Sequence, residues 1–239
     1  MKKRFFIVAF LCFLISTAQT KNVLYDIIDN TSSKRLENDI RKLADFGTRH
    51  TLSDTLSETR GIGAARRWIK SQFETISNEC SNCLEVFYQK NYFTPEDGDR
   101  IVKPVWINNV VAIQRGKTHP NRFIIMSGDI DSRISDPTNY KDDSPGANDN
   151  ASGMAGTIEA ARVLSNYTFE NSIVYVGLSG EEQGLYGGKG LAQYALDNNW
   201  EIIGVLNNDM IGNIEGVDGV IDNRSFRIFS EPTSPTETE

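Results

Sequence analysis

The sequence predicts an α/β fold: a three-layer α/β/α sandwich around a mixed, largely parallel central sheet. Beyond residue 105, short β-branched or aromatic runs alternate with longer amphipathic stretches, as strand–helix units do. A chain of 239 residues, 39% hydrophobic and 24% charged, can bury one substantial core and is neither fibrous nor disordered. Acidic residues also recur just behind the strand-like runs, at the edge where open α/β sheets carry their sites.

The elements follow in order. Leu36, Ile40 and Leu43 repeat at helical spacing behind Ser32 and Ser33, whose hydroxyls suit a helix start. After Ser57 a longer stripe of Ile62, Ala65, Ile69, Phe73 and Ile76 predicts a second helix, with Arg66, Arg67 and Lys70 turned to water. Leu84–Tyr88, Asn109–Ile113 and Phe123–Met126 then read as strands between polar turns. A helix over Ser152–Leu164 carries Met154, Ile158 and Ala161 on one face, and the almost wholly apolar Ile173–Leu178 reads as a buried strand. A helix around Leu185–Leu196 and strands at Ile202–Leu206 and Ser225–Phe229 complete the pattern, before a polar tail from Pro232 to Glu239.

At the N-terminus, Lys2, Lys3 and Arg4 precede an apolar run from Phe5 to Ile15 and the small residues Ser16, Thr17 and Ala18. This is the pattern of a secretory signal peptide, residues 1–18, cleaved after Ala18; a membrane anchor needs about 20 apolar residues. The expected product is exported to periplasm or medium, with no membrane association after cleavage. One domain is expected from 19 to 239. Basic residues number 25 against 32 acidic, a net charge of −7, and losing the leader's three cations makes the remainder more acidic still. With a pI near 5.0 the chain offers no broad cationic face, which argues against nucleic-acid binding. Cys12 lies in the leader; Cys80 and Cys83 suit a local disulfide in an exported protein, since a zinc ribbon needs a second pair.

The informative residues are acids: Asp129 and Asp131 behind one strand, Glu181 and Glu182 behind another, Asp209 behind a third, and Asp149 just before a helix. If the strands are parallel, their loops converge, and clustered carboxylates repel unless a cation neutralises them. A calcium loop starting at Asp129 fails on spacing, because Ile134 falls where the turn glycine belongs and Tyr140 where the bidentate glutamate belongs. Asn30, Asn150, Asn166 and Asn223 head Asn-x-Ser/Thr triplets, acceptors only in a glycosylating host.

Taken together, Ser127-Gly-Asp-Ile-Asp-Ser132, Pro145-Gly-Ala-Asn-Asp-Asn-Ala-Ser-Gly153, Gly180-Glu-Glu-Gln-Gly-Leu185 and Asn208-Asp-Met210 resemble metallopeptidase family twenty-eight. That family includes secreted bacterial leucyl-type zinc aminopeptidases, and glutaminyl cyclases share its fold. The resemblance runs from about Leu36, through Gly47-Thr-Arg-His50, to about Glu231. It implies a phosphorylase/hydrolase-like fold and two zinc ions bridged by an aspartate, to which Asp149 corresponds. Glu182 matches a ligand of one metal and Asp209 a ligand of the other. Glu181 matches the glutamate that acts as general base, and Asp131 the acid that orients the metal-binding residue two positions earlier.

The sequence departs from the family pattern twice. Asp129 stands where the family has a histidine; as a ligand it would make the Asp129, Asp149 and Asp209 pocket all carboxylate, shifting preference from zinc toward manganese or magnesium. The family's distal histidine has no counterpart after Asp209, because the only histidines are His50 and His119, both read as structural or solvated. A fragment lacking its C-terminal part is the expectation. Three functions follow: an exported metal-dependent aminopeptidase acting on peptides; a glutaminyl-peptide cyclotransferase using one metal; and a protease-like domain that binds without catalysis. Oligomeric state has no sequence signal.

Overall fold

The computed structural model describes residues 23–230. The leader and the tail from Pro232 lie outside them. Helix α1 (Ser33–Ala44) opens where the Ser32 hydroxyl accepts the Arg35 amide, and α2 (Gly61–Glu79) follows. The remaining order is β1 (Leu84–Phe93), β2 (Val105–Gln114), β3 (His119–Asp129), α3 (Gly153–Leu164), β4 (Asn171–Leu178), α4 (Tyr186–Asp197) and β5 (Glu201–Asn208). Between α2 and β1, Cys80 and Cys83 are disulfide-bonded with Cα atoms 5.5 Å apart.

The strands form one mixed sheet in the order β1-β2-β4-β3-β5. Pairings β1–β2 and β2–β4 are antiparallel, whereas β3 runs parallel to both β4 and β5. Parallel pairing is thus confined to the half of the sheet that carries the acids. Asp129 lies level with Leu178, and Gly128 with Asn208, so β3, β4 and β5 end on one rim.

Period-two alternation along β4 divides the core. Tyr175 faces α1–α3 with Leu43, Ile69, Phe73 and Ile158, while Val174 and Val176 face α4 with Phe123 and Leu191. Burying a side chain such as Phe73, fully enclosed, contributes roughly 1.5–3 kcal/mol. The apolar run of β4 reflects cover on both faces, whereas β5 is an edge strand with Val205 and Leu206 each 57% exposed.

Two sequence expectations are corrected. Ser225–Phe229 is not a strand: the segment is irregular and exposed, because its β-prone residues meet no partner strand. Arg66, Arg67 and Lys70 are only partly exposed, and Arg67 is turned inward, donating to the carbonyls of Thr55 and Ser57 to tie down the loop before α2. Among the described residues, no helix is long and apolar enough to cross a membrane.

Candidate metal centre

Parallel β3, β4 and β5 deliver Asp129, the Glu181–Glu182 pair and Asp209 to the same rim, and a wide turn over Ala147–Ser152 adds Asp149. Close packing without side chains makes this possible. A Cβ at Gly128 would lie 2.6 Å from the Gly153 carbonyl carbon, and one at Gly153 only 2.0 Å from the Asn208 oxygen. The start of α3 therefore sits directly on the ends of β3 and β5, with Asp149 just ahead of it.

Asn150, fully buried, locks that arrangement. Its Nδ2 donates to Asp129 Oδ2 at 3.0 Å and to the Asn208 carbonyl at 2.9 Å. Its Oδ1 accepts the Gly153 amide at 3.0 Å and the Met210 amide at 3.3 Å. In the sequence Asn150 heads a glycosylation triplet and lies in the Pro145–Gly153 block with no role of its own; its burial removes it as an acceptor in the folded chain, and its place beside Asp149 is the available signal. On the opposite side, Asn109 accepts the Ser179 amide and donates to the Gly187 carbonyl, fixing both ends of the segment that holds Glu181 and Glu182.

Asp131, 1% exposed, accepts from the Thr51 hydroxyl at 3.0 Å and from the amides of Glu181 and Glu182 at 3.3 and 3.1 Å. Its hydrogen bonds fasten the 181–182 segment. An aspartate at position 129 has no ring N–H for Asp131 to accept, so the two repel. Burial, with Asp131 adding to it, pushes the Asp129 carboxyl up to about 8. Burial and then Asp131, Glu182, Asp209 and Asp149 push Glu181 up to about 7. Asp209 is raised by burial and by Asp149. Glu182 is raised by burial, an effect its contact with Arg133 opposes.

Asp129, Glu181 and Asp209 line a cavity of about 340 Å³ whose apolar wall includes Leu178, Leu185 and Val205. A larger recess, about 770 Å³, opens elsewhere among Asp26, Arg35, Glu79 and Arg162 and shares none of the rim acids. His50 is buried away from the cluster's ligand role: Nδ1 accepts the Leu52 amide, so Nε2 carries the proton toward the Pro137 carbonyl at 3.0 Å. His119 is exposed at the start of β3, at the other end from the rim.

As they stand, no three His, Cys, Asp or Glu side chains among the described residues are gathered tightly enough to hold one ion. Asp129 is engaged by Asn150, and Glu182 by Arg133 at 2.5 Å. The donor set nevertheless suits a divalent cation, being all oxygen, with three carboxyls raised together by burial and then by neighbouring carboxylates. Releasing Glu182 from Arg133, whose side chain is 34% exposed, costs on the order of 1 kcal/mol.

Residues 109–225 match the family model described as peptidase family M28. The chain belongs to peptidase family M28. A curated relative from Pyrenophora tritici-repentis, named a probable zinc metalloprotease, is 39% identical over 214 residues, covering 90% of this chain and 49% of the relative. Another of that name, from Pyricularia oryzae, is 42% identical over 196 residues, covering 82% and 39%. The chain thus spans about half the length of the curated relatives it matches. Its M28 fold is similar to that of LapB from Legionella pneumophila, with TM-score 0.59, 21% identity, and 78% of this chain and 45% of that one covered. It is equally similar to a glutaminyl cyclase from an Acidobacteriales bacterium, with TM-score 0.58, 20% identity, and 77% and 62% covered.

Proposed function

We propose that the whole protein is an exported zinc aminopeptidase that removes N-terminal residues from peptides. The observation carrying this reading is the convergence of acids from three parallel strand ends, Asp129, Glu181 and Asp209, on a single cavity, with Asp149 in the adjoining turn. Asp149, in the turn that Asn150 ties to the ends of β3 and β5, would hold the metal together with Asp129, Asp209 and Glu182. Zinc fits the names of the relatives, whereas the all-oxygen pocket of Asp129, Asp149 and Asp209 also suits manganese or magnesium. When bound, the metal supplies an electrophile that polarises the scissile carbonyl and lowers the pKa of water toward 7.

The chain's own groups do the rest. Glu181 would accept the proton of the attacking water at its carboxylate and return it to the leaving amine. Asp131 holds the Glu181 and Glu182 amides so that the two neighbouring side chains keep separate duties. The apolar wall of Leu178, Leu185 and Val205 would receive an uncharged side chain of the substrate.

The test uses the full-length protein: it should release free amino acid from aminoacyl chromogenic substrates, lose that activity to a chelator and regain it with zinc. Activity retained under chelation contradicts the reading. The cyclase likeness supports a second reading, distinguished by product mass. Loss of ammonia from an N-terminal glutaminyl peptide, with the chain otherwise intact, indicates cyclisation; a shortened peptide indicates hydrolysis.

A further inference from the structure

Arg49, the third residue of Gly47-Thr-Arg-His50, is 1% exposed, and all four of its side-chain hydrogen bonds end on backbone carbonyls. Nε donates to Ile130 at 2.8 Å, Nη1 to Leu43 at 3.1 Å and Pro145 at 2.6 Å, and Nη2 to Gly146 at 2.9 Å. These carbonyls are not scattered. Ile130 lies between Asp129 and Asp131, and Pro145 and Gly146 open the turn that carries Asp149. The guanidinium fork therefore joins the two acid-bearing segments to each other and to the end of α1.

The backbone around it repeats the tie. Ser132 Oγ accepts the Arg49 amide at 3.2 Å and donates to the Ser144 carbonyl at 2.6 Å, and the Ser144 amide reaches the Gly47 carbonyl at 2.7 Å. Two residues on, Thr51 donates to Asp131. Burial lowers Arg49 only to about 10 against the opposing pull of Asp131 and Asp149, so a full positive charge lies beneath the acids at neutral pH. A buried cation bonded wholly to carbonyls is expensive to keep, unless the rim above it needs both its reach and its charge.

We infer that Arg49 is a positioning residue for the metal centre: its fork sets the spacing between the Asp129 strand end and the Asp149 turn, and so sets the affinity of the site for its divalent cation. This rests on the metal-centre reading above. A lysine keeps the charge but cannot present four donors to three separate segments. Arg49→Lys should therefore fold and yet bind zinc at least tenfold more weakly. Ser132→Ala, which cuts the same tie without touching the buried cation, should weaken zinc about threefold. Ile76→Ala, in the core beside the recess away from the rim, should lower the melting temperature and leave zinc affinity unchanged.

The experiment is competitive zinc titration against a chromophoric chelator, with circular-dichroism melts, on the full-length protein and the three variants. Folded Arg49→Lys with zinc affinity within twofold of the parent overturns the inference. So does Ile76→Ala weakening zinc as much as Arg49→Lys does. If Arg49→Lys fails to fold, Ser132→Ala decides: a threefold loss supports the inference and an unchanged affinity overturns it. A parent that binds no zinc refutes the metal-centre reading itself, which is a different result.

Discussion

Replacing Asn150 with alanine tests whether one side chain holds the rim together. The change removes four hydrogen bonds: two join the Ala147–Ser152 turn to the ends of β3 and β5, one holds the start of α3 and one the Met210 amide just beyond β5. Two of the stranded partners, the Asp129 carboxylate and the Gly153 amide, are buried; leaving each unmet costs about 1–3 kcal/mol. The other two, the Asn208 carbonyl and the Met210 amide, are partly exposed and regain water, adding less than about 1 kcal/mol together. The sum is about 2–7 kcal/mol, a large share of ordinary domain stability. For a domain of this size that corresponds to a fall of roughly 4–28 °C in melting temperature. Calorimetry of the full-length protein and of Asn150→Ala measures it directly. A fall below about 2 °C would refute the claim that Asn150 ties the strand ends.

Two further outcomes follow from the same geometry. Gly153→Ala places a methyl 2.0 Å from the Asn208 carbonyl oxygen, a backbone atom that can yield only if α3 moves off β5; a loss of about 1–3 kcal/mol in denaturant titration and reduced turnover are expected. Glu159, buried on α3, accepts from Arg35, Arg162 and the Ser32 amide, and although burial raises its carboxyl these partners hold it net below its usual value. Its stabilising contribution is accordingly complete above the unfolded value near 4.5 and disappears as pH falls through the lower folded value. Glu159→Gln should cost roughly 2–3 kcal/mol at pH 7, less than the 3–5 of a fully buried pair because Arg35 is 42% exposed, and progressively less as pH falls through the folded value.

Patterns set by local period were legible in the sequence. The α2 stripe from Ile62 to Ile76 and the apolar run of β4 each record which neighbours cover them, and acids placed behind strands become a cluster once those strands prove parallel. Ser225–Phe229 shows the limit, since a β-prone run forms a strand only when a partner edge meets it. Buried polar residues were the least legible. Arg49 bonds carbonyls up to 97 positions away and Asn150 a carbonyl 58 away, so nothing beside either in sequence reveals its partners. Arg67 reads as surface by helical period, yet its long stem lets it fold back onto the loop before α2.

The most direct test of the central claim is Glu181→Gln in the full-length protein, with zinc content and peptide turnover measured on the same sample. The amide preserves shape and removes only the proton acceptor, so bound zinc should equal that of the parent while turnover falls at least about a hundredfold. Turnover within a few-fold of the parent, at equal zinc, would contradict the assignment of Glu181 as the base and with it the proposed reaction.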